Sequence, residues 1–275
     1  MQPLLRRAEA RQALVNRPTT EANNRAILCN FIRFLTSHQL SFKKVNFEIV
    51  CAYIESLAIR VKSPSTIRNY ISALAVSYKK MGLNEMVFYH FRVKSALVAC
   101  DKSIRHIPTP AQVITPMILR QVIQSIQHIE DFYTVRFLFV AMFILLLRQS
   151  NFARNCTKDF DTTRQLTRGD VSIVHGNLQI KVKWEKNQQM TINNRIMSLP
   201  PNKDLFICPI QAFTEMTAQR PTESNSDPLI MFKNGSPMSL SFIRRIWKDA
   251  LQSIGIAGKR TSLHGLRRGG ATYIA

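Results

Sequence analysis

The sequence predicts a mainly α-helical protein with one small β-sheet, an α+β fold in two domains. Three observations carry this. Apolar residues recur at helical spacing through most of the chain, in segments long enough for several helices. One segment, Val171 to Trp184, alternates with a period of two around a Gly-containing turn, the pattern of a β-hairpin. Between the halves runs Asp101 to Thr115, a polar stretch holding Pro108 and Pro110, where helix is disfavoured and a linker fits.

Residues 1–21 form a basic extension opening Met1-Gln-Pro-Leu-Leu-Arg-Arg. It has no apolar signal-peptide core and reads as a basic helix on DNA or on the domain, with an Arg-rich transit peptide as the alternative. Residues 22–100 read as a helical bundle. Ile27, Leu28, Phe31, Ile32, Phe34 and Leu35 make the first stripe, and Phe47, Ile49, Val50, Tyr53, Ile54 and Leu57 the second. Ser63-Pro64-Ser65 supplies a cap and a first-turn proline for a third helix, which ends at Gly82 and carries Ile67, Tyr70, Ile71, Leu74 and Tyr78 on one face. A fourth is expected over about Asn84 to Ala99. Arg60, Lys62, Arg68, Lys79 and Lys80 are the polar positions suited to phosphates, or to an ordinary solvated face.

The second domain, residues 116–275, opens with helices over about Pro116 to Ile129 and Phe132 to Leu147. The apolar run Phe137 to Leu147 has 11 residues between Arg136 and Arg148, too short to cross a bilayer and suited to a buried helix. The hairpin follows. Met197 to Pro201 and Pro228 to Phe232 read as short strands, and Leu205 to Phe213 as a helix start. Leu240 to Leu251 is amphipathic, with Phe242, Ile243, Ile246, Trp247 and Leu251 inward and Arg244, Arg245 and Lys248 outward.

Charge narrows the function. The net charge is +21 in 275 residues, with 15 Lys/Arg against 5 Asp/Glu in residues 1–100 and 23 against 12 in the rest. Both halves are therefore basic, and double-stranded DNA is the leading partner, since each neutralised phosphate releases counterions. The five cysteines are scattered and show no Cys-x-x-Cys spacing, which argues against a zinc module or a disulfide framework and for an intracellular protein. No membrane partner is expected.

The last stretch, Thr261-Ser-Leu-His-Gly-Leu-Arg-Arg-Gly-Gly-Ala-Thr-Tyr-Ile-Ala275, reads as a helix start. Its His264 and Arg267, three apart, are neighbours on one face, and a guanidinium fork beside an imidazole suits a phosphate. The string His-Gly-Leu-Arg-Arg-Gly-Gly-Ala-Thr resembles the second signature box of tyrosine recombinases and integrases, particularly those of eukaryotic mobile elements. Leu145-Leu-Leu-Arg148-Gln-Ser-Asn-Phe152 resembles the first box, although many members carry an acidic residue where this chain has Asn151. Ser63-Pro-Ser-Thr-Ile-Arg-Asn-Tyr-Ile-Ser-Ala-Leu74 looks like that family's core-binding domain.

The resemblance implies an N-terminal core-binding bundle and a C-terminal catalytic domain that close around DNA as a clamp. It also implies that Arg148 and Arg267 bind the scissile phosphate, that His264 assists proton transfer, and that a hairpin lysine protonates the leaving oxygen. That lysine is Lys186, with Lys183 as the alternative; Arg268 joins the DNA contacts. Arginines supply the cationic stabilisation that metal ions provide elsewhere, so no metal or cofactor is expected. The family's tyrosine nucleophile lies well downstream of the second box. Tyr273 is nine residues past His264 and six past Arg267, rotated about 180° and 240° from them on a helix, and is expected to pack against the core. The chain thus reads as a recombinase region ending before its nucleophile, unable to cleave as written. The other readings are a non-enzymatic DNA-binding module derived from such an element, or a scaffold for an acidic partner. A nuclear location is the corresponding expectation; the family's assembly into tetramers on DNA often uses an exchanged C-terminal helix downstream of the second box, so a stable homo-oligomer is not expected of this stretch alone.

Overall fold

A computed structural model describes residues 18–105, 112–155, 160–183, 195–220, 224–256 and 261–274. The chain divides into two compact units, Met1–Pro108 and Thr109–Ala275. Among the described residues no helix is long and apolar enough to cross a membrane.

The first unit holds helices α1 (Pro18–Ser37), α2 (Phe47–Arg60), α3 (Pro64–Lys80) and α4 (Phe91–Ser103). Their starts follow local chemistry. The Asn46 side chain accepts the Ile49 N–H at 3.0 Å to cap α2, and Pro64 opens α3, where its missing N–H is harmless. The core is aromatic: Phe31 meets Tyr53 edge-on at 4.8 Å, and Tyr78 meets Phe88 at 4.9 Å. Each buried phenol finds an acceptor, Asn30 Oδ1 for Tyr53 at 2.8 Å and the Phe42 carbonyl for Tyr78 at 2.9 Å, as buried hydroxyls must. Burial pushes both phenols up.

Two expectations for this unit need correction. The single helix over Asn84 to Ala99 is a 3-10 turn, Glu85–Tyr89, followed by α4. His90 breaks it: its ring stacks on Phe47 at 4.1 Å and its Nδ1 accepts the Arg92 N–H at 3.3 Å, so it caps α4 instead of continuing a helix. The linker over residues 101–115 is also shorter at both ends. Asp101 to Ser103 complete α4, and Ile114 is wholly buried in the second unit's core.

The second unit contains α5 (Pro116–Ser125), α6 (Phe132–Ile144), strands β1 (Val171–Val174), β2 (Asn177–Val182) and β3 (Arg195–Leu199), then α7 (Pro209–Ala218), α8 (Leu240–Ser253) and α9 (His264–Ile274). Helix α6 is its centre. Every residue from Thr134 to Phe143 is buried, with α7 and α9 packed against it. Arg136 is tolerated there because its guanidinium donates to the Phe206 and Leu205 carbonyls at 3.2 and 2.6 Å and pairs with Glu215; a buried charge must be paired. Trp247 of α8 meets Phe139 edge-on at 5.1 Å.

The three strands form an antiparallel meander in the order β1-β2-β3. His175 and Gly176 both have positive φ, 49° and 74°, the geometry a two-residue hairpin turn needs. The expected strand from Pro228 to Phe232 is not one. Only the isolated bridges Thr167 to Pro228 and Met231 to Pro237 form there, since proline has no N–H to extend a ladder. Helix α5 ends at Ser125 rather than Ile129, and α6 at Ile144 rather than Leu147. The early end of α6 sets the site.

Candidate phosphate-binding site

Past the end of α6, Leu146 takes a left-handed φ of 56°, costly for a leucine. The kink turns Leu147 into the core at 6% exposure and leaves Arg148 extended ahead of a 3-10 turn, Gln149–Asn151. Asn151, 4% exposed, closes that turn: its Oδ1 accepts the Arg148 N–H at 3.1 Å, and its own N–H donates to the Arg148 carbonyl at 2.9 Å. Asparagine thus offers the Arg148 backbone a neutral carboxamide acceptor. Among the described residues the Arg148 guanidinium donates no hydrogen bond.

Helix α9 brings the second arginine. Leu263 and Leu266 are buried, at 2% and 0%, while His264 and Arg268 lie exposed and Arg267 is half-buried. The glycine pair behind Arg267 and Arg268 explains how closely this helix sits. A Cβ on Gly269 would lie 1.9 Å from the Ile114 carbonyl oxygen, and one on Gly270 would lie 1.8 Å from the Phe143 carbonyl oxygen. Only glycine permits this approach. The last turn of α6 and the first turns of α9 are therefore locked backbone to backbone.

The result is a cleft of about 240 Å³ lined by Leu145, Leu146, Leu147, Arg148, Asn151, Arg195, Met197 and Arg267. None of these residues is acidic, and leucine and methionine walls lower the local dielectric, so an anion is what it can hold. His264 stands within electrostatic reach. Partial shielding of its ring from water, then the charges of Arg268, Arg267 and Arg148, hold its imidazole below the ordinary histidine range. It is neutral at pH 7, able to accept or donate a proton.

The other residues singled out in the sequence fall into three groups. Lys186 lies outside the described residues. Lys183 is tied inward: its ammonium meets the Asp170 carboxylate at 2.5 Å and donates to the Thr162 carbonyl and Thr167 hydroxyl at 2.9 and 3.3 Å. Asp170 is 7% exposed, so Lys183 braces the end of β2 against the turn before β1 rather than reaching outward, a correction to its place as a DNA contact or general acid. The remaining cations are at the surface. Arg68 pairs with Asp101 and Lys80 with Glu21, Arg60 donates to the Ser56 carbonyl at 3.0 Å, and Lys62 and Lys79 are exposed. On α8, Arg244 donates to Gln149 Oε1 and Asn155 Oδ1 at 3.2 and 3.3 Å, beside the Arg148 turn. Arg245 lies 5.4 Å over the Phe242 ring, and Lys248 is exposed.

Tyr273 does not pack into the core as expected. It is 59% exposed, its ring 6.1 Å from Phe143, because α9 makes its closest approach a turn earlier at the glycines. Arg195 is the cleft residue that sequence reasoning passed over. The signal that could have found it is the alternation Arg195, Met197, Leu199 along a strand.

No protein-family model matches the sequence, and no curated protein matches it. Solved structures do. The Tn1549 transposon integrase in complex with transposon right end DNA aligns with a TM-score of 0.61 at 16% identity, over 97% of this chain and 84% of that one. A lambda integrase tetramer bound to a Holliday junction gives 0.60 at 12%, over 98% and 70%. The XerH site-specific recombinase bound to difH in its pre-cleavage complex gives 0.57 at 15%, over 90% of this chain and 66% of that one. The chain has the fold of tyrosine recombinases and integrases, mainly helical with a small three-stranded antiparallel sheet.

Proposed function

We propose that this chain is a DNA-binding tyrosine recombinase or integrase-like protein acting in recombination or integration of a mobile element of the eukaryotic type. The observation that carries the reading is the meeting of Arg148 and Arg267, 119 residues apart in sequence, in one cleft with no carboxylate among its described lining residues. In this reading the two guanidiniums hold the non-bridging oxygens of a phosphodiester and stabilise charge that develops on them. His264 donates to or exchanges a proton with the same phosphate, and Lys186 protonates the leaving 5′ oxygen. The first unit serves as the core-binding domain, gripping the backbone through Arg60, Lys62, Arg68, Lys79 and Lys80. Surface ion pairs such as Arg68 with Asp101 are worth little and exchange readily for phosphate. Arg244, Arg245, Lys248 and Arg268 extend the contact from the second unit, and the protein works in the nucleus.

No tyrosine lines the cleft among the described residues, and Tyr273 sits against Phe143. That favours a second reading, a DNA-binding module that regulates or shapes DNA without breaking it. One experiment tests what the two readings share, DNA binding, and the part given to Tyr273. The 275-residue chain is titrated with labelled duplex across a salt series and then incubated with nicked duplex. Salt-sensitive binding with no covalent protein–DNA adduct is the expected result for these residues; an adduct on Tyr273 overturns the assignment of that residue, and the absence of binding at low salt overturns both readings.

A further inference from the structure

Arg195 enters the cleft from a third direction, the sheet. Its pairing fixes the face on which it stands. Arg195 lies opposite Val182, Met197 opposite Ile180 and Leu199 opposite Leu178, and those three β2 residues are buried at 1%, 0% and 0%. Directly opposed residues of an antiparallel pair share a face. Arg195 therefore belongs to the sheet's inward face, at the first position of its strand, and Met197 two residues on lines the cleft with it. Lys181, opposite Ile196, shares the outward face.

We propose that Arg195 is a third ligand of the phosphodiester held by Arg148 and Arg267, an inference that rests on the DNA-binding reading above. Its contribution follows from where the three guanidiniums originate. Arg148 and Arg267 are both referred to the α6–α9 contact, so they approach the phosphate from one rigid body. Two forks from one side hold a tetrahedral group by its non-bridging oxygens yet leave it free to swing about the line joining them. A fork from the sheet removes that freedom and fixes which ester oxygen faces His264, the orientation that a proton transfer requires. Arg195 is thus a positioning residue as well as an anion ligand.

The test uses the full chain and a labelled duplex, with affinity measured by fluorescence anisotropy across a salt series. Arg195→Ala is expected to weaken binding about tenfold and to lower the slope of log affinity against log salt by about 0.9, the signature of one lost phosphate contact. Its melting temperature should match the parent. Arg195→Lys should restore the slope but not the affinity, because an ammonium offers no planar pair of donors. Lys181→Ala, on the opposite face of the same sheet, should leave the slope unchanged. If the alanine variant melts early, Arg195→Gln, which keeps the aliphatic stem without the charge, takes its place. An unchanged slope in the neutral Arg195 variants, or an equal fall for Lys181→Ala, overturns the assignment while parental binding leaves the DNA reading standing. A parent chain that does not bind duplex overturns both.

Discussion

The two units carry similar charge and use it differently. In the first, the cations ride on the outer faces of regular amphipathic helices, and several already have partners: Arg68 with Asp101, Lys80 with Glu21, Arg60 with its own helix. In the second, the cleft is built where regular structure fails, at a leucine with positive φ, a glycine pair and the first residue of a strand. A solvated helix face can slide along a polyanion and exchange one phosphate for the next. A cleft walled by leucines and methionine has room for one anion in one place, and the difference teaches that charge placement, more than charge density, marks where chemistry can occur.

The comparison can be broken most sharply at its glycines. Gly270→Ala puts a methyl group onto the Phe143 carbonyl oxygen. Although alanine favours helix, backbone cannot step aside, and a loss of about 3 kcal/mol in the second unit is expected, with collapse of DNA binding. Gly82→Ala in the first unit has open space around it and only a positive φ of 67° to lose, a cost of about 1 kcal/mol. Chemical denaturation monitored separately for each unit reads both, and equal effects would erase the contrast.

A smaller effect separates the cations themselves. Arg148→Ala removes a donor pair from a partly dry cleft and should weaken duplex binding by roughly ten- to a hundredfold, with little change in melting temperature. Arg68→Ala on the bundle should weaken it less than about threefold. Anisotropy titrations at one salt concentration decide this, and comparable losses would mean that the cleft is no more than another stretch of basic surface.

The smallest expected effect is on pH dependence. In the free protein, partial shielding from water and three arginines hold His264 below its ordinary pKa of 6.5. A bound phosphate raises it, so the complex takes up a proton that the free protein does not. Affinity should therefore rise as pH falls from about 7 through the range below 6.5 and level off once the free histidine is also protonated. Replacing His264 by Gln should flatten the profile by removing its proton uptake. A parental profile already flat across that range would sever His264 from the phosphate.

Much of this was legible in the residues. The helices and the hairpin follow from apolar periodicity and turn chemistry, both local, and the two arginines that share the cleft, Arg148 and Arg267, were singled out with His264 because boxed motifs resemble a known family. What escaped depends on partners distant in sequence. Lys183 reads as a plain hairpin cation until Asp170, thirteen residues earlier, folds back onto it. Leu146 has no local reason to adopt positive φ; the packing of Leu147 and the neighbouring α9 impose it. His90 reads as one more helical residue until Phe47, from another helix, stacks on its ring. Arg195 joins the cleft only once β3 has its register on β2.

The contact between α9 and the end of α6 also says how such a protein loses its function. Every cation of the cleft can survive while a single codon change forces α9 off its neighbours, at position 270 off the end of α6 and at position 269 off the Ile114 backbone. Among diverging copies of this gene, the first mark of a dead site would then be an alanine or serine in the glycine pair, with Arg148, His264 and Arg267 still in place. Inspection of the charged residues alone would count those copies as living.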